Sequence, residues 1–424
     1  MSLLKNETAV RWHRIAWWLC MVTLPWIDQA NNQSLILLLL LWTIDGDFAG
    51  KWERLKKALW TWPFLLYYLV LAVGVLYTPD VDNGLFTLDK KVTFLGLPIV
   101  VATGRGLDEK YRSFLKRSFV YSCCVVIIVC LVVSAYHYWQ GGNDSNFDLY
   151  TAENYKSIHP EASTAWMHFS YIQLAQRAGL HPGYLSMYLI FCLVILFNEH
   201  YKTRRESVIH WIIGVLLACT ISLLSTRMAI VAFSCAAAYL CVRKIYERQA
   251  KAMVPIVVAA TVLFFLLWLN PVARFRVIEE PRITTYLADQ HVTRWNSVSY
   301  RLLEWQGSWA SIRAHWFAGV GTGGGKAAMD EFYSNYNSST AGLEHNAHNQ
   351  YLQVWMESGI VGLVAFLLCL FSGLLRLRQN AAYVCFILIF SLMCLTESVG
   401  ERQKGVVFFT LFQVLFLGFE KQKQ

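Results

Sequence analysis

Apolar residues in this chain come in long blocks, not in the short alternating runs of a soluble fold. Twelve blocks, at roughly 13–28, 33–46, 59–77, 88–103, 118–139, 183–198, 208–224, 228–243, 252–270, 352–374, 380–396 and 405–420, approach the ~20 residues a helix needs to cross a bilayer. The first, second and fourth are weaker, being short or interrupted by polar side chains. The pattern predicts an all-α integral membrane chain of about 12 transmembrane helices. Nine of these helices fall in residues 1–270 and three in 352–424, and residues 271–351 form one large, partly helical external loop.

Inside that loop, "SVSYRLLEWQGSWASIRAHW" (297–316) reads as an amphipathic helix. Val298, Leu302, Trp305, Trp309, Ile312 and Trp316 recur at steps of four and three and form one apolar stripe. That stripe suits either a helix lying in the membrane interface or one packed on the protein's own core. Arg301 and Glu304 share the adjacent stripe.

Composition supports the same class. Of the residues, 56% are hydrophobic and 15% charged, with mean hydropathy +0.39, against roughly a quarter charged in soluble domains. The 17 Trp, 21 Tyr and 25 Phe suit aromatic belts at headgroup depth. The start, "MSLLKNETAVRWHRIAWWLC", places basic residues before an apolar run but shows no small-residue cleavage site, so the first helix is read as retained. All eleven cysteines fall in or beside apolar blocks, which argues against a disulfide framework and a C-x-x-C metal site.

Charge sets the orientation. With the N-terminus inside, the short loops at 51–57, 104–117, 201–207, 243–251 and 376–378, together with the two termini, hold 23 of the 37 basic residues. Both termini are then cytoplasmic, and the long segments 140–182 and 271–351 lie outside, where a bilayer-bound chain is expected to work.

Candidate chemistry gathers on that outer side. In "EHNAHNQYLQVWMESGIVG" (344–362), His345 and His348 stand directly before an apolar span, next to Glu344. Their spacing admits a metal pair, a satisfied structural histidine, or a base at the water interface. The base is favoured, because H-x-x-H lacks a third ligand and neutral imidazole accepts a proton near pH 7. Arg227, in "LLSTRMAIVAF", sits at a very short outer turn, and Arg301 reaches the same level from the loop. Two guanidinium groups converging there suit a diphosphate, since each planar fork binds phosphate oxygens in pairs. "GVGTGG" (319–324) matches G-x-G-x-x-G, but a helix precedes it where a dinucleotide site needs a strand. Its glycines read as a tight turn.

With these residues in place, the chain resembles the O-antigen ligase and polymerase superfamily of bacterial envelope enzymes. His348-Asn349, followed at the family's spacing by Gly359 and Gly362, is similar to the ligases' histidine motif. The arginine of "STRMA" and the segment "SYRLLEWQGSW…FAGVGTG" are similar to the family's outer-end arginine and its arginine-bearing loop helix.

The resemblance implies a GT-C-like fold in the bacterial inner membrane and an inverting, metal-independent transfer on the periplasmic face. The donor would be a glycan on undecaprenyl diphosphate and the acceptor the lipid A–core oligosaccharide, with His348 as general base and Arg227 and Arg301 on the diphosphate. No cofactor and no nucleic acid are implied, and membrane lipid is the surrounding partner. Secondary candidates are His345, Asn349, Glu397, Arg177, His181, Tyr184 and Lys91 with its neighbour Lys90. Glu397 would orient His348 or the acceptor, or else pair with Arg402. Lys90 and Lys91 either snorkel or touch diphosphate. The Gly359–Gly362 pair is expected to serve close helix packing. The alternatives are a polymerase of the same superfamily, a lipid-linked glycan flippase or transporter, and a membrane scaffold.

Overall fold

A computed structural model of the chain describes residues 6–104, 106–140, 165–199, 203–279, 297–335 and 346–418. His345, Glu344 and the side chain of Val298 lie outside the described residues. The helices are α1 (Asn6–Thr23), α2 (Asp28–Ile44), α3 (Phe48–Lys57), α4 (Trp62–Gly74), α5 (Val81–Lys90), α6 (Thr93–Thr103), α7 (Glu109–Trp139), α8 (Ala165–His168), α9 (Tyr171–Gln176) and α10 (Pro182–Phe197). They continue with α11 (Arg204–Leu224), α12 (Arg227–Tyr246), α13 (Val254–Leu269), α14 (Pro271–Arg274), α15 (Ser297–Ala314), α16 (Gly325–Asn335), α17 (Gln350–Phe371), α18 (Leu374–Leu377), α19 (Ala381–Met393) and α20 (Gln403–Leu417). Among the described residues there is no strand.

Each of the twelve apolar blocks is largely helical. By length and composition alone, five described helices can cross a membrane: Glu109–Trp139, Arg204–Leu224, Arg227–Tyr246, Ala250–Leu269 and Gln350–Leu377. A sixth is counted if α2 and α3, bent by 112° at their junction, form one span. The chain is therefore an all-helical, multi-pass membrane protein. The block at 88–103 is not one helix: Lys91 and Val92 interrupt it, leaving α5 and an eleven-residue α6.

Shorter apolar helices occupy the centre. Residues 182–196 of α10 and 404–417 of α20 are buried at every position, as expected for helices apolar on all sides. Their contacts with α7 and α19 are aromatic. Phe191 meets Phe386, Phe408 and Phe412 at ring-centre distances of 5.1, 5.8 and 4.8 Å, and Phe119 meets Phe412 at 5.0 Å. These spacings suit edge-on and tilted ring pairs, each worth about 0.5–1.5 kcal/mol beyond area burial.

The two ends of the bundle are fastened differently. At the end with the short basic loops, arginines grip carbonyls and carboxylates. Arg112 donates to Leu415 O and Gly418 O (both 3.0 Å), Arg54 to Thr103 O (3.1 Å), and Arg117 pairs with Glu199 (2.9 Å). At the opposite end, residues 297–335 of the long loop form a helical hairpin, α15 and α16, seated on α17 through Leu303, Ile312, Met329, Tyr333 and Met356.

The glycine-rich turn locks that hairpin in place. Gly359 (φ 62°, ψ −168°) breaks α17, and the segment after α15 plugs the break. Val320 N donates to Met356 O and Gly321 N to Glu357 O, both at 2.9 Å, while Ile360 N donates to Trp316 O (2.9 Å). On its other side, Thr322 Oγ1 donates to Leu71 O (2.7 Å) and Asn83 Nδ2 to Gly323 O (2.5 Å). Gly319, Gly321 and Gly323 have φ of 75°, 93° and 80°, which disfavour any side chain. The G-x-G-x-x-G match is thus a tight turn whose amides are used by the protein itself. Gly359 interrupts a helix and meets the Phe317 backbone, whereas a methyl added at Gly362 would press on Ser358 of its own helix and meet Val70 of α4 at 3.7 Å.

The amphipathic reading of α15 is also corrected. Its buried face is Leu303, Glu304, Gly307, Ser308 and Ile312, and Trp309 and Trp316 of the expected stripe are 44% and 57% exposed. Gly307 lets α16 approach closely, since an added methyl there would meet Phe332 and Met329, and Ser308 turns its hydroxyl onto Glu304 O (2.8 Å). The tryptophans face outward, where an amphipathic ring suits a lipid–water boundary.

Gly359→Ala is expected to lower stability by at least about 1–3 kcal/mol, the strain of a side chain at that φ, with the clash against Phe317 in addition. Gly214→Ala on α11, whose nearest contact is Leu193 at 4.0 Å, should be neutral or stabilising by up to about 1 kcal/mol. Thermal unfolding of the detergent-solubilised pair measures the contrast.

Candidate functional site

The end opposite the basic loops contains an open cavity of about 320 Å³. Its lining includes Tyr171, His181, Thr226, Arg227, Arg276, Arg301, Leu302, Trp305, Thr396 and Glu397. The sequence thus delivers groups from six places to one wall.

Arg227 is the first residue of α12, reached through a left-handed Ser225 (φ 50°) that turns α11 back sharply. Its Nε donates to Arg276 O (2.7 Å), which fixes the guanidinium at the mouth of the helix. The N-terminal, positive end of α12 opens into the same space. Arg276, which the sequence reading did not single out, is almost wholly buried in the π-helical turn Phe275–Glu279, and its guanidinium lies 3.2 Å from the centre of the Tyr171 ring. No motif marks it. The only sequence signal was an arginine close after the ninth apolar block.

Arg301 and Glu397 form the hub. Arg301 Nη2 meets Glu397 Oε1 at 2.7 Å, and its Nε donates to Thr396 O (3.1 Å). The other carboxylate oxygen, Oε2, is 3.2 Å from His348 Nδ1. Glu397 is mostly buried, which works to raise its pKa, but His348, Arg301 and His181 together hold it down at about 2. Arg402, the pairing weighed for Glu397 from sequence, is exposed.

His348 is positioned with strain. Its φ is 39°, in the left-handed region that a non-glycine residue rarely occupies without support. The support is local: His348 N donates to Asn346 Oδ1 (2.8 Å), and Asn349 caps α17 by accepting from Tyr351 N and Leu352 N (3.0 and 3.1 Å). Asn349 therefore acts on the backbone that presents His348. Burial works to lower the imidazole pKa, but the hydrogen bond and charge of Glu397, with Glu304 adding to them, raise it above 6.5. With Glu397 on Nδ1, the neutral ring carries its lone pair on Nε2.

His181 is the N-cap of α10, its Nδ1 accepting from Gly183 N (3.2 Å). Burial drives its pKa down to about 4 against the pull of Glu397, so it is a neutral hydrogen-bonding group at pH 7. Tyr184 is buried one turn on, its hydroxyl directed at Val399 O (3.5 Å). Arg177, half-buried at the end of α9, is not among the lining residues.

Lys91 does not reach the cavity either. It is 1% exposed and pairs with Glu401 at 2.7 Å, while Lys90 Nζ donates to Glu401 O (3.4 Å). Gln350 completes this second cluster, its amide accepting from Gly400 N (2.5 Å) and donating to Glu401 (3.3 Å). The residues thought to snorkel or touch diphosphate instead clamp the 394–402 segment to the start of α17, beside the His348–Glu397 contact. Among the described residues, no three His, Cys, Asp or Glu side chains are grouped to hold a metal.

Breaking the clamp leaves the mostly buried Glu401 without the Lys91 ammonium. Lys91→Met should therefore destabilise by about 3–5 kcal/mol. Adding Glu401→Gln should recover part of that loss, which thermal unfolding of the single and double variants will measure.

Residues 212–367 match the family model described as O-Antigen ligase. No curated protein matches the chain. The matched segment runs from α11 into α17 and contains Arg227, Arg276, Arg301, Glu304 and His348, whereas Glu397, His181 and Lys91 lie outside it. Over this segment, about a third of its length, the chain is similar to the O-antigen ligases, and its multi-pass helical architecture accords with that similarity.

Proposed function

We propose that the protein is an O-antigen ligase of the bacterial inner membrane, transferring a glycan from undecaprenyl diphosphate to the lipid A–core oligosaccharide on the periplasmic face. The observation that carries this reading is the gathering of Arg227, Arg276 and Arg301 around one cavity, with the His348–Glu397 pair against Arg301. Because the basic loops share the opposite end, the positive-inside rule turns this cavity toward the periplasm.

The chemistry follows from the charges. The bond between the donor's anomeric carbon and diphosphate breaks with its electron pair leaving on phosphate. Guanidinium groups and the α12 N-terminus stabilise the charge that develops there. His348 Nε2 takes the proton of the acceptor hydroxyl as its oxygen attacks the opposite face of the anomeric carbon, which inverts the centre. Glu397 keeps Nδ1 protonated and the ring turned the right way. Diphosphate is already a good leaving group, so orientation and electrostatics account for most of the rate. A polymerase would use the same groups with a second lipid-linked chain as acceptor, and the product identifies which acceptor is used.

Purified protein, supplied with an undecaprenyl-diphosphate glycan and a lipid A–core acceptor, should form the joined product. It should do so equally well with a chelator present. His348→Ala is expected to slow transfer by about 10²–10⁴, and wild-type rates in that variant would remove the base. Arg227→Lys keeps the charge but loses the fork, and should lose most activity. The base works only when neutral and its pKa is raised, so activity should climb with pH through a midpoint above 6.5.

A further inference from the structure

Both nitrogens of His348 face a carboxylate. Glu397 Oε2 stands at Nδ1, and Glu304 Oε1 stands 3.8 Å from Nε2. Glu304 lies on α15 one turn beyond Arg301, is 5% exposed, and belongs to the face that packs on α16 and α17. A glutamate so enclosed is unfavourable unless its charge is matched. Among the described residues, Tyr333 from α16 and Tyr300 from its own helix also feel the Glu304 charge, Asp330 acts on Tyr333, and Arg301 and His181 lie near the imidazole.

The 3.8 Å separation exceeds a hydrogen bond. In the neutral ring, a carboxylate at this separation makes no bond to Nε2 and leaves its lone pair to the acceptor hydroxyl. Once Nε2 is protonated, the ring carries a positive charge and the same separation becomes attractive. Glu304 therefore favours one state of the ring: the imidazolium that forms when the acceptor hydroxyl surrenders its proton.

We propose that Glu304 is a positioning residue for the base, stabilising protonated His348 from the Nε2 side as Glu397 does from the Nδ1 side. The proposal rests on the reading of His348 as the general base. In the transfer step the acceptor O–H bond breaks, its proton goes to Nε2, and its oxygen bonds to the anomeric carbon as that carbon's bond to diphosphate breaks and the electron pair leaves on phosphate. The proton stays on the ring, held by two carboxylates, until product leaves and water removes it. Two carboxylates make the imidazole a stronger proton acceptor than one would, and they hold it against rotation.

The test uses the full chain in lipid nanodiscs with 15N-labelled histidine, the His348 signal being the one lost in His348→Ala. In Glu304→Gln, which preserves shape and removes charge, the His348 titration midpoint should fall by about one unit or more. Transfer by the same variant should drop about tenfold in kcat with little change in KM, and its acid limb should move to lower pH. Glu304→Asp should restore part of both. A His348 midpoint that stays in place in folded Glu304→Gln overturns the proposal. The activity of His348→Ala separately decides whether His348 is the base at all, so the two failures are told apart.

Discussion

A carboxylate removed from water must be matched, and in this protein Glu397 is matched by groups from two distant parts of the chain. Arg301 comes from the helical hairpin of the long loop, and His348 comes from the residues that lead into α17. Because a buried charge left without partners is strongly unfavourable, these three segments hold one another in register. The same carboxylate that seats the hairpin on the bundle through Arg301 also raises the basicity of the imidazole. Structure and candidate chemistry therefore depend on one ion.

The surrounding architecture protects that geometry. The break in α17 at Gly359 frees the Met356 and Glu357 carbonyls, and the glycine turn after α15 occupies them. Thr322 and Asn83 tie the turn to α4 and α5. On the other side of α17, the Lys91–Glu401–Gln350 cluster holds the 394–402 segment. His348 thus lies between two fastened stretches, and its left-handed backbone is maintained by neighbours that cannot easily move. These polar ties gather at one end of the bundle, while its centre is packed by phenylalanine rings.

Some of this was legible in the residues. The apolar blocks foretold helices, because a bilayer permits little else where every amide must be satisfied within its own segment. His348, Arg227 and Arg301 stood out because ionisable groups beside membrane spans are uncommon. Other features were hidden. Arg276 and the partner of Lys91 carry no motif, and the buried face of α15 follows Gly307 and Ser308 and not its tryptophans. A helical wheel shows which residues share a stripe, but it cannot say whether lipid or protein will cover that stripe.

By itself, the sequence determined the helical class, the membrane solvent and the chemical identity of the groups at the site, since these follow from local hydrophobicity and residue type. Only the tertiary structure decided which charges meet. Glu397 had Arg402 nearby in sequence, yet it lies against Arg301 and His348. Pairing between charges is governed by distance in space and by shared burial, and both are set when the helices pack.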